Sequence, residues 1–174
     1  AVPAGPELKI FFPQDVGHVF FHYRRNTTAY PIAGGWFNGH KLPENTDIRR
    51  NGNTLFPTSY FSAASRFDYF GSYDERTGGG VVHVADHHIS PGKKMFTWAY
   101  DQLARTWEKA LTDTDGPYLE LMAGSYSDNQ PDFSWLAPYE EKRFSQYWYP
   151  ISDTGVPCFA NLDMAVSVHP DRVV

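Results

Sequence analysis

The sequence predicts an all-β protein, a two-sheet antiparallel β-sandwich. Three observations carry that expectation. Short segments alternate apolar and polar residues with a period of two. Turn residues (Gly, Pro, Asn, Asp) recur every 8–12 residues. The 3.6-residue period of amphipathic helices is almost missing. A chain of 174 residues fits a single domain, 1–174, large enough to bury a core.

Taken in order, residues 8–12 and 17–24 read as strands, separated by Pro13, Gln14 and Asp15. Residues 26–53 read as loop, punctuated by Gly34-Gly35, Asn38-Gly39, Pro43 and Asn51-Gly52, with room for a short helical turn. Strands follow at 58–64 and 67–73. Residues 78–100 then read as a β-hairpin: Val82 and Val84 alternate with Val81, His83 and Ala85, Ser90-Pro91-Gly92 supplies the turn, and 95–100 returns. The best helix lies at 101–109, with Asp101 as its cap and Leu103 and Trp107 four apart. Residues 117–123 form a strand and 127–131 a polar turn. Further strands are expected at 133–136, 142–149 and 161–169.

Composition narrows the function. Net charge −5 and pI near 5.7 exclude the basic face of a nucleic-acid binder. No apolar run approaches the roughly 20 residues a membrane helix needs. Cys158 is the single cysteine, so neither an internal disulfide framework nor a cysteine-based zinc cluster is expected, and a reducing, cytoplasmic compartment is favoured. Aromatic residues make up 17% of the chain, a supply of flat apolar surfaces.

The chemistry-bearing residues gather in three stretches. The predicted hairpin brings His83, Asp86, His87, His88, Lys93, Lys94 and Trp98 to its mouth. That mixture of imidazole, carboxylate, amine and indole suits a polar ligand with a flat apolar face, such as a sugar ring. Glu120 lies between Leu119 and Leu121, so strand parity turns it away from the apolar layer. There it serves either as a solvated surface residue or as a base towards a sugar hydroxyl. Asp128, Asn129 and Gln130 offer a dense set of donors and acceptors, or a plain turn. A metal is not expected: on an extended strand His83 and His87 stand about 13 Å apart, too far for one ion unless the chain bends at Asp86, and His87 and His88 point oppositely. No cofactor is implied. Asp113 and Asp115 share part of a calcium loop but lack the rest of its ligand pattern.

Residues 116–151 resemble the end of an aldose 1-epimerase (galactose mutarotase). In that family a strand carrying the catalytic Glu precedes an Asp-x-x-Asn-x-Pro-like loop and a Leu-x-Pro-Gly-Glu turn. Glu120, the Asp128-Asn129-Gln130-Pro131 run and the Leu136-Ala137-Pro138-Tyr139-Glu140 run occupy those places. Lys94, two residues beyond Pro91-Gly92, stands where the family has a sugar-contacting Gln. The motifs HVADHHISPGKK, LTDTDGPY and SDNQPDFSWLAPYE are similar to those of a bacterial domain of unknown function with the mutarotase-like fold, often joined to tetratricopeptide repeats.

The resemblance implies a mutarotase-like supersandwich of which this chain is the C-terminal half, incomplete at its N-terminus. It implies a carbohydrate ligand in a concave cleft. The catalytic candidates are Glu120, as general base, and His83. The substrate-binding candidates are Asp86, His87, His88, Lys94, Trp98, Asp128, Asn129 and Gln130. The reaction is left between an epimerase-like and a glycoside hydrolase-like one. The alternative is a non-catalytic carbohydrate-binding or regulatory module, and a weaker third reading is a protein–protein scaffold. The missing N-terminal half and a homodimer formed through an unpaired sheet edge are the expected partners.

Overall fold

The computed structural model describes residues 1–22, 26–62, 64–99, 102–126 and 133–174. Its fourteen strands among those residues are β1 (Val2–Pro3), β2 (Leu8–Phe11), β3 (His18–Phe20), β4 (Thr27–Ala29), β5 (Ile32–Phe37), β6 (His40–Asp47), β7 (Thr58–Ser62), β8 (Tyr69–Asp74), β9 (Gly79–Val84), β10 (Gly92–Thr97), β11 (Tyr118–Gly124), β12 (Tyr147–Ser152), β13 (Phe159–Ala160) and β14 (Ala165–Val166). One α-helix, α1 (Gln102–Leu111), and one 3₁₀ turn, Asn51–Asn53, accompany them. A six-stranded sheet runs β1-β11-β10-β7-β3-β4 and a four-stranded sheet runs β12-β9-β8-β2, with β5-β6 and β13-β14 as two-stranded additions. Every pairing is antiparallel. The all-β sandwich holds.

Strand parity accounts for the layers. Tyr60, Met95 and Leu119 of the six-stranded sheet meet Ile10 and Phe70 of the four-stranded sheet in one buried cluster. A second cluster, Phe11, Tyr69, Tyr73, Val82, Val84 and Ile151, covers the other face of the four-stranded sheet and includes Ala160 of β13. The four-stranded sheet therefore buries both faces, which explains why β8 is buried at five consecutive positions. The six-stranded sheet buries one face fully, and β11 keeps intermediate exposure at six of its seven residues.

Several sequence expectations are corrected. The region 78–100 is not a hairpin: β9 pairs with β8 and β12, whereas β10 pairs with β7 and β11. The segment between them arches from one sheet to the other. Alternation and a Pro-Gly turn predict two strands but cannot say whether they pair, because an arch and a hairpin share that pattern. Residues 26–53 are not mainly loop, since β4, β5 and β6 lie there. Asn38 (φ 50°) and Gly39 (φ 77°) form the tight turn joining β5 to β6, the two positive φ values that an Asn-Gly hairpin requires. Residues 133–136 form no strand, and the strand expected at 142–149 starts only at Tyr147. That stretch is exposed throughout, Trp135 at 84%, so it has no buried face to hold it as a strand. The polar turn at 127–131 and the Asp101 cap lie outside the described residues.

Candidate functional site

The outward face of the six-stranded sheet is assembled by register. Across β7, β10 and β11, Phe61 aligns with Lys94 and Met122, and Ser59 aligns with Phe96 and Glu120. Since Leu119 and Met95 enter the core, these residues turn the other way. Two residues further along, Trp98 lies beside Tyr118. The Trp98 indole N–H donates to the Tyr118 hydroxyl at 3.0 Å, which donates in turn to Glu120 Oε1 at 3.2 Å. Burial first, and then the neighbouring Glu120 charge, raise the Tyr118 pKa.

Aromatic rings surround this chain of hydrogen bonds. Phe96 packs edge-on to Trp98 with ring centres 4.9 Å apart, and Trp107 of α1 stacks on Trp98 at 5.0 Å. Lys94 Nζ sits 5.1 Å from the centre of the buried Phe61 ring. On the far side, His22 Nδ1 lies 2.8 Å from Ser59 Oγ, and its ring stacks on Phe61. Burial lowers the His22 pKa, which favours the neutral imidazole.

The arch after β9 holds a different set. The Asp68 carboxylate accepts the His87 backbone N–H at 2.9 Å and the His87 Nδ1–H at 2.7 Å. The Asp86 carboxylate accepts the His88 backbone N–H at 2.9 Å and lies 3.0 Å from His88 Nδ1. Potential ligand atoms of Asp86, His87 and His88 all lie within 4.8 Å of one another. Asp68 and Asp86 also line a cleft of about 540 Å³ with Tyr147, Asn161 and Asp163.

His83 belongs to neither group. It aligns with Phe70 and Trp148, faces the layer between the sheets and is 1% exposed. Burial pushes its pKa down to about 4, aided by the Lys93 charge and opposed by a hydrogen bond with Gln146. Its Nδ1 has no partner among the described residues. Lys93, expected from sequence at the open mouth of a hairpin, is instead 1% exposed in the same layer. Burial lowers its pKa, while Asp68 and Asp15 pull it up.

The structure thus brings Glu120, Lys94 and Trp98 together on one sheet face, and Asp86, His87 and His88 together in the arch. It does not bring these two sets to a single mouth. β10 runs for six residues between the arch and Trp98, about 20 Å at roughly 3.3 Å per residue. Asp128, Asn129 and Gln130 lie outside the described residues.

Residues 1–151 match a family described as a domain of unknown function, DUF5107. The chain belongs to the DUF5107 family. It is also similar in fold to a solved TPR-domain containing protein from Parabacteroides distasonis, with a TM-score of 0.67 and 24% identity over 98% of this chain. This DUF5107 chain spans 27% of that protein's length. No helix among the described residues is long and apolar enough to cross a membrane.

Sequence reasoning passed over Tyr118, Phe96 and Asp68 of this DUF5107 chain. Tyr118 and Phe96 carried a usable signal, since each is two residues from a named candidate on the same strand and must share its face. Asp68 carried none, being 19 residues from His87 and joined to it only by the fold.

Proposed function

We propose that the outward face of the six-stranded sheet binds a carbohydrate, as the aldose 1-epimerase resemblance implies, within a mutarotase-like supersandwich of which this chain is the C-terminal half. The supporting observation is the Trp98–Tyr118–Glu120 hydrogen-bonded chain set among Phe96, Trp107 and Lys94. A carboxylate accepts sugar hydroxyls, flat rings cover the apolar face of a pyranose, and the lysine favours sugars bearing an acid group. Titration with galactose, glucose and galacturonate, followed by calorimetry, tests this proposal. Trp98→Ala and Glu120→Ala are each expected to weaken binding about tenfold or more, roughly the contribution of one charge-assisted hydrogen bond or ring contact. Unchanged affinity in both variants contradicts it.

A catalytic version is favoured by one further observation. His22, held by Ser59, lies across Phe96 from Glu120 in the same row. Two strand spacings of about 4.8 Å separate Ser59 from Glu120, enough for a sugar ring between two acid–base groups. In that version Glu120 is the base, and Glu120→Gln lowers turnover about 10²–10⁴-fold. In a binding module the same substitution leaves affinity nearly unchanged.

A further inference from the structure

We propose that the arch between β9 and β10 is a binding site for a zinc-class divalent cation, held by Asp86, His87 and His88 and oriented by Asp68. The site is separate from the carbohydrate face. On an extended strand the two imidazoles would diverge, but the chain reverses here. The Asp86 carbonyl accepts the N–H groups of Ile89 at 3.1 Å and Ser90 at 2.8 Å. The reversal lays the His87 and His88 rings side by side, 3.9 Å between centres. The expectation of no metal rested on an extended backbone that the structure does not have.

Asp68 lies outside the arch. A carboxylate only accepts, so its 2.7 Å contact fixes the proton on His87 Nδ1 and leaves Nε2 with its lone pair free for a metal. This is the carboxylate–imidazole arrangement that orients metal-bound histidines. Tetrahedral coordination at about 2.0–2.1 Å requires donor atoms roughly 3.3 Å apart. The widest pair, at up to 4.8 Å, must therefore close by about 1.5 Å. Asp86 and His88 have side-chain exposures of 56% and 77%, which leaves them free to rotate that far.

The donor set selects the ion. Two imidazoles and one carboxylate suit zinc and its neighbours in the transition series, whereas calcium and magnesium take oxygen ligands. The carboxylates of Asp68 and Asp86 balance the double charge. Three protein ligands leave a fourth position open, and the adjoining cleft of about 540 Å³ gives room for water or a small ligand there.

Zinc chloride titrated into the tag-free chain by calorimetry, with elemental analysis after dialysis, tests the site. One zinc per chain is expected. His87→Ala and His88→Ala should each weaken binding by at least about tenfold, and Asp68→Asn by about 10–100-fold, while circular dichroism stays unchanged. His40→Ala and His169→Ala, elsewhere on the fold, should bind as the parent does. Sub-stoichiometric zinc, binding that survives the His87→Ala/His88→Ala double variant, or a preference for calcium over zinc would overturn the proposal.

Discussion

The arch cluster and the sheet face are built in opposite ways. Asp86, His87 and His88 are neighbours in sequence, brought together by a local turn whose hydrogen bonds span two to four residues. Glu120, Phe96, Ser59 and His22 come from four segments and meet only because β3, β7, β10 and β11 pair in one register. Slipping β11 by one residue would send Glu120 into the core and Leu119 out of it. The arch cluster depends on no strand register except through Asp68. A site made by register is held by the core beneath it, while a site made by a turn is nearly independent of that core.

The largest expected effect tests that dependence. Leu119 is fully buried beneath the sheet face, so Leu119→Ala should cost about 2–5 kcal/mol in urea unfolding. Glu120→Ala, one residue away on the outward side, should change stability by less than about 1 kcal/mol. Similar costs for the two would show that the faces are assigned wrongly.

The next effect comes from His83, in the layer between the two sheets. Its folded pKa of about 4 lies below the ordinary 6.5, so the unfolded chain binds the extra proton between those values. The stabilisation is complete above pH 6.5 and is lost as pH falls towards 4, by up to about 3 kcal/mol. His83→Phe, which suits the ring contacts with Phe70 and Trp148, should remove that slope. Denaturation at pH 7 and pH 4.5 checks it; an identical slope in both proteins would count against a buried neutral imidazole.

Smaller effects separate the regions further. Tyr118→Phe breaks the link between Trp98 and Glu120 and should cost about 1 kcal/mol by urea unfolding. His88→Ala, at an exposed position, should shift stability by no more than about 0.5 kcal/mol.

Much of this was legible in the sequence, at the level of parity. The turns of Leu119 inward and Glu120 outward follow from alternation alone. Pairing was not legible: nothing local distinguishes an arch from a hairpin, and so His83 and Trp98 were placed at one mouth. Burial of a cation was also hidden, because Lys93 reads as surface until two sheets close over it. Exposed aromatics misled in the other direction, since Phe133 and Trp135 have a strand-like composition but lie exposed, outside every strand of the described residues.

The most direct measurement of the proposed carbohydrate binding at the sheet face is heteronuclear NMR of the labelled chain titrated with galactose, glucose and galacturonate. The Trp98 indole N–H, hydrogen-bonded to Tyr118, is a reporter within the proposed site. Shifts centred on Trp98, Phe96, Lys94 and Glu120, with His87 and His88 unmoved, are the predicted result. Shifts confined to the arch, or none at millimolar sugar, would contradict the account.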